Sequence, residues 1–393
     1  MTPLRFSTLT ALLGSCVGLA SADEPKLERS LPYAGLINSM ALAADGKVLA
    51  TGSGRKTATV WDLVGRRHIR TFPGHSAHVV LVALSRDGEL LATASERTAT
   101  LWEAATGRTL QTFRGQEQDI SGLALSGDGK LVVTSAANEK GDKKAILWDA
   151  VTGKPLRSFG GHAAFVIRVV LSDDGKYLVT GSLDKTAILW ETASGTNLQT
   201  FEGHTIGVST VALSGDGKLV ATGSFDNTAI LWLAATGKRL QTLEGHTKPV
   251  LSVALSADGK QVLTGSEDKT AFLWDAASGR KLRIFQGHTG AIVGMALSPD
   301  GKKAWTSSQD GTTRLWEAAT GKELGALLSF GGNEWLVSSP DRYFDGSAVA
   351  GEHVEFKVPG STTIFADLDG SLKRKFHRPG LLRALMNGER LKP

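Results

Sequence analysis

The stretch ALSADGKQVLTGSEDKTAFLWDAASGRKL at Ala254–Leu282 has two near copies upstream, ALSGDGKLVATGSFDNTAILWLAATGKRL at Ala212–Leu240 and VLSDDGKYLVTGSLDKTAILWETASGTNL at Val170–Leu198. Within this unit Val250–Leu255 alternates as a strand does, Asp258-Gly259 is a hairpin pair, and Val262–Ser266 is a second strand. Glu267-Asp268-Lys269 turns the chain into a third strand, Thr270–Trp274, and Ser278-Gly279 turns it into a fourth, Lys281–Phe285. Four short antiparallel strands make one small sheet. Alone, such a sheet cannot bury both faces, so the copies must stack on one another.

Tryptophan marks the period. Trp61, Trp102, Trp148, Trp190, Trp232, Trp274 and Trp316 are spaced by 41, 46, 42, 42, 42 and 42 residues. A repeat near 42 residues that closes on Leu-Trp-Asp or Leu-Trp-Glu is the pattern of a propeller blade. The expected fold is all-β, a seven-bladed β-propeller over residues 26–330 with a short C-terminal extension. An eighth, partial blade is the alternative. Both KLERSL (Lys26–Leu31) and KELGALL (Lys322–Leu328) align with the outer strand of a blade, and only one can close blade seven. Trp335–Val358 would supply the eighth blade.

Of 393 residues 41% are hydrophobic, enough for a large core. The formal charge of +5 is too mild at this length to suggest nucleic acid. Residues 1–22 resemble a secretory leader. Arg5 is followed by an apolar run from Phe6 to Leu19, then Ala20-Ser21-Ala22 as a cleavage site. The chain is therefore expected to be exported, periplasmic or extracellular. LGSC at Leu13–Cys16 offers the alternative of a lipid anchor on Cys16, the one cysteine present. Cleavage after Ala22 leaves a mature chain without thiols, stabilised by packing alone.

The motifs "GH", "SxDGK" and "TGSxDxTAxLW" together resemble the WD-repeat family over about residues 31–330. Gly-His stands at Gly74-His75, Gly161-His162, Gly203-His204, Gly245-His246 and Gly287-His288. The resemblance implies a structural network in each blade, with His, Thr, Asp and Trp tying the inner strands together. The sets are His162, Thr180, Asp184 and Trp190; His204, Thr222, Asp226 and Trp232; His246, Thr264, Asp268 and Trp274; and His288, Thr306, Asp310 and Trp316. A buried Asp needs such partners whatever the family. These groups also form the list of a hydroxyl–His–Asp catalytic triad. A catalytic site is needed once, however, and this set recurs.

Blades one to three depart from the pattern. Blade one has no Gly-His, blade two has Arg97 at the expected Asp position, and blade three has Gly115-Gln116 and an insertion at Ala136–Ile146. None of nine Gly-Lys pairs is followed by Ser or Thr, so no phosphate-binding loop is read. No H-E-x-x-H occurs, and the Asp-Gly turns lack the acidic ladder of a calcium loop. No cofactor or metal is expected, and no enzyme activity.

The last residues differ in character. Residues 331–370 read as a blade-like or capping extension, and 371–393 as a basic tail with seven Lys/Arg against one Glu. Pro379–Asn387 reads as a short helix with Leu381, Leu382, Leu385 and Met386 on one face. FHRPGLLRALMNGERLKP resembles a C-terminal segment of bacterial WD-repeat proteins, some of which are joined to caspase-like domains. The expected function is a non-catalytic, monomeric platform for unknown protein partners. Membrane contact would come only through the tail or a lipid anchor. The alternatives are a propeller hydrolase or lyase with channel carboxylates, and an accessory module for a separate protease or redox protein. In WD-repeat proteins partners sit on the face bearing the "GH" loops. The variable turn residues there place a candidate binding site at Phe165, Leu183, Ile206 and Phe225, with Phe225 as anchor.

Overall fold

The computed structural model describes residues 26–27, 36–64, 67–115, 118–136, 143–331, 334–340, 344–347, 356–357, 364–365, 377–379 and 381–387. Strands are numbered β1 to β33 in chain order. The leader at 1–22, Cys16 and most of the basic tail lie outside the described residues, as does most of the blade-three insertion.

Blade six shows how the repeat folds. Its strands are β22 (Val250–Leu255), β23 (Gln261–Ser266), β24 (Ala271–Asp275) and β25 (Lys281–Phe285), paired in that order. A register shift between Val250 and Ser252 puts Val250 and Val253 in one core cluster, and Asp258-Gly259 turns the chain. Ser256 Oγ donates to Asp258 Oδ1 at 2.7 Å, and the Lys260 amide donates to the same oxygen at 3.1 Å. Gly259, at φ 68°, takes the left-handed position that this turn requires.

Seven such sheets form a closed ring. The innermost strands are β2 (Ile37–Leu42), β6 (Leu81–Leu84), β10 (Ile120–Leu125), β14 (Val166–Leu171), β18 (Val208–Leu213), β22 and β26 (Ile292–Leu297). Each lies beside the next, and β26 lies beside β2 as the others lie beside their neighbours. Aromatic groups seal the seams. An outer-strand Phe meets the next blade's Trp at Phe72–Trp102, Phe113–Trp148, Phe159–Trp190, Phe201–Trp232 and Phe285–Trp316, with centroids 5.5–5.9 Å apart.

The ring closes at seven blades, and the last one is enlarged. Blade seven comprises β26, β27 (Lys303–Ser308), β28 (Thr312–Glu317), β29 (Glu323–Gly331), β30 (Glu334–Ser338) and β31 (Phe344–Gly346). KELGALL thus supplies its fourth strand. β30 and β31 extend that sheet rather than inserting as an eighth blade. β1 (Lys26–Leu27) joins no blade: it pairs with β32 (Phe356–Lys357), which pairs with β33 (Ile364–Phe365). The helix α1 spans Leu381–Asn387, two residues shorter at its start than expected. The Arg378 amide is held by the Phe344 carbonyl at 2.8 Å, and this pins the chain just before the helix.

Candidate functional site

The end of the ring that carries the Gly-His loops is here the top. In blade four the Trp190 indole N–H donates to Thr180 Oγ1 at 2.9 Å, and His162 Nε2 lies 2.8 Å from the same oxygen. His162 Nδ1 is 2.8 Å from Asp184 Oδ2. A carboxylate accepts only, so Nδ1 carries the proton and Nε2 accepts from the Thr180 hydroxyl. Asp184 also accepts from the amides of Ala163 and Thr186 and from Thr186 Oγ1. The structure brings together the corresponding groups in blades five, six and seven with matching distances.

The electrostatics agree with a neutral imidazole on an ionised Asp. Burial alone would raise the Asp184 pKa, but hydrogen bonds from His162, Thr186 and Ala163 outweigh it and hold the carboxyl below its ordinary range. Asp226, Asp268 and Asp310 are depressed for the same reasons. Burial lowers His204, His246 and His288 despite the opposing pull of their aspartates. The connectivity is that of a hydroxyl–His–Asp triad, yet Thr180, Thr222, Thr264 and Thr306 are all 0% exposed. No substrate can reach those hydroxyls, and each already receives an indole N–H.

Blade two corrects the alignment. Its turn is one residue shorter: Ser95 pairs directly with Thr98, and Glu96, not Arg97, takes the left-handed position at φ 50°. No residue stands at the Asp position. His75 keeps Thr93 at 2.9 Å and Trp102 keeps Thr93, but the buried His75 Nδ1 has no hydrogen-bond partner among the described residues.

The candidate partner-binding residues form one row across two blades. The Leu183 amide donates to the Phe165 carbonyl at 3.0 Å, and Phe225 makes the equivalent bond to Gly207 at 3.1 Å. A Cβ at Gly207 would stand 2.9 Å from both Leu183 Cα and Cδ2, so blades four and five touch there. Leu183 is 39% and Ile206 51% exposed, while Phe165 and Phe225 are half-buried. On blades two, six and seven polar residues take part of these places: Lys248 pairs with Glu267 at 3.1 Å on blade six, Ser76 donates to Glu96 on blade two, and blade seven has Gln309. On blade one the exposed Leu36 faces Gly54 where blade four has Leu183.

One residue not singled out from the sequence also lies near this row. Arg168, on β14, reaches the Ser121 carbonyl of β10 at 3.1 Å. The signal for it was a charge inside a repeat position otherwise held by small or apolar residues.

The repeat model "WD domain, G-beta repeat" matches residues 26–62, 66–103, 107–149, 153–191, 195–232, 237–275 and 279–317. The chain is also 29% identical over 83 residues to "Pre-mRNA-processing factor 19 homolog 2" of Arabidopsis thaliana, covering 21% of this chain and 14% of that protein. With seven matched repeats spanning most of its length and seven blades in its ring, the chain belongs to the WD-repeat family of β-propellers.

Proposed function

We propose that the chain is an exported, non-catalytic platform that binds another protein through the top of blades four and five. The observation that carries this reading is the apolar row of Phe165, Leu183, Ile206 and Phe225, continuous across two adjacent blades. Leu183 and Ile206 are exposed at turn tips, Leu183 with one side against Gly207; such clusters mark interaction surfaces. Phe225, held partly in place by its neighbours, is the anchor. The non-catalytic reading is supported by the sealed threonines and by the seven innermost strands, which carry no Asp or Glu to serve a channel enzyme. Export is supported by the leader-like residues 1–22. The short likeness to a pre-mRNA-processing factor fits a repeat platform, and residues 23–370 sum to −2, without the net basic excess of a typical RNA binder.

The test uses the chain from Asp23 onward as bait in an exported fraction, beside a Leu183→Ser, Phe225→Ser double variant. The variant is expected to keep its circular dichroism and lose the specific capture. Undiminished capture would refute the patch, and a large drop in melting temperature would instead place both side chains in the core.

A further inference from the structure

Arg168 is the one charged residue on the seven innermost strands. Its counterparts in the same pairing register are Ser39, Leu81, Gly122, Thr210, Ser252 and Gly294. It stands on an innermost strand and is half-buried, still partly open to solvent. Burial acts on its ionisation, and no carboxylate among the described residues does. A guanidinium has five N–H donors and keeps its proton. Among the described residues the Ser121 carbonyl is its protein acceptor. A half-buried cation with no counter-charge among the described residues is costly, so the position favours an incoming anion.

Geometry relates this cation to the apolar row. Phe165 immediately precedes β14, and Arg168 follows three residues later on the strand that descends from the top. At roughly 3.3 Å per residue the separation is about 10 Å, within reach of a short extended segment. We propose that Arg168 receives an Asp or Glu side chain of the partner protein, inserted at the channel mouth while an apolar neighbour seats against Leu183 and Phe225. The inference rests on the reading of the apolar row as a docking surface. A guanidinium grips a carboxylate with two parallel hydrogen bonds, which supplies orientation as well as attraction.

The probe is a phage library of random dodecapeptides selected on the whole chain. The best binder is remade with fluorescein and measured by anisotropy. Selected peptides are expected to share an acid beside an apolar residue. Arg168→Met is expected to weaken binding roughly tenfold or more, and Arg168→Lys to retain part of it. Changing the peptide acid to its amide should weaken wild type equally and add nothing to Arg168→Met. The failure to select any binder, selected peptides without an acid, or unchanged affinity for Arg168→Met would each overturn the proposal. Binding that survives Leu183→Ser, Phe225→Ser but not Arg168→Met would keep Arg168 and refute the apolar row alone. Arg168→Met is expected to melt no lower than wild type; a marked fall would make Arg168 a strut to blade three and overturn the proposal.

Discussion

His204→Ala takes the Nδ1–H from Asp226 and the acceptor from the Thr222 hydroxyl. Asp226 keeps the Thr205 amide and Thr228, so the expected loss of stability is about 1–3 kcal/mol. His75→Ala loses only the Thr93 bond and is expected to cost less. Urea denaturation of both variants tests this, and equal losses would contradict it. The networks also set the response to acid. Folded His204, His246 and His288 sit below their ordinary pKa, so the unfolded chain takes up protons first as pH falls. Stability is then full above about pH 6.5 and is lost on acidification; the depressed aspartates extend the loss below about pH 3.9. Melting temperature is expected to fall between about pH 7 and pH 5, and a flat profile there would be inconsistent with neutral, buried imidazoles. The network members were legible because their spacing repeats. The isolation of His75 was not, since a one-residue shorter turn in blade two removes the Asp position and alignment alone set Arg97 there.

At the scale of elements, the seam between blades seven and one lacks a bridge that five of the other six share. Outer-strand Arg or Gln side chains reach a turn carbonyl of the next blade at Arg70–Ala105, Gln111–Val151, Arg157–Ala193, Gln241–Ala277 and Arg283–Ala319. Blade seven has Gly325 there, and α1 fills the space. A Cβ on Gly325 would meet Leu385 Cδ1 and lie 2.8 Å from the Ser338 carbonyl. Leu381 and Leu385 join Trp61, Trp305, Leu327 and Val337 in one cluster, and Lys303 Nζ donates to the Met386 carbonyl at 2.5 Å at the helix end. Trp335 packs on Trp61 at 5.8 Å and stacks on His68, whose pKa burial lowers to about 4. Leu381→Ala is expected to cost about 2–5 kcal/mol by thermal denaturation, in the range of a buried leucine. Gly325→Val is expected to displace α1, which protease cleavage after Arg383 would report; unchanged resistance would show that the helix is not docked there. The helix and its apolar residues were legible from Pro379, Gly388 and the leucine spacing. Its place was not, because docking depends on a missing side chain on a strand some sixty residues earlier.

For the whole molecule, the blade count came from seven tryptophans, each a local signal repeated. The closure did not, because Lys26–Leu31 and Lys322–Leu328 carry the same local pattern and only tertiary competition chooses between them. The chosen solution keeps all four core strands of each blade contiguous in sequence and pairs β1 with β32 outside the ring. A ring stabilised by near-identical units leaves its specialised chemistry to positions the fold does not use, and the proposed ones are the apolar row and Arg168. On the proposed reading, recognition is confined to one sector of the top. The most direct measurement places a photo-crosslinking residue at Ile206, and separately at Val151, which is 79% exposed on the opposite face. Each protein is then irradiated in its native cells. Adducts of one defined mass at Ile206 and none at Val151 are expected; no adduct at Ile206, or the same adducts at both positions, would contradict the account.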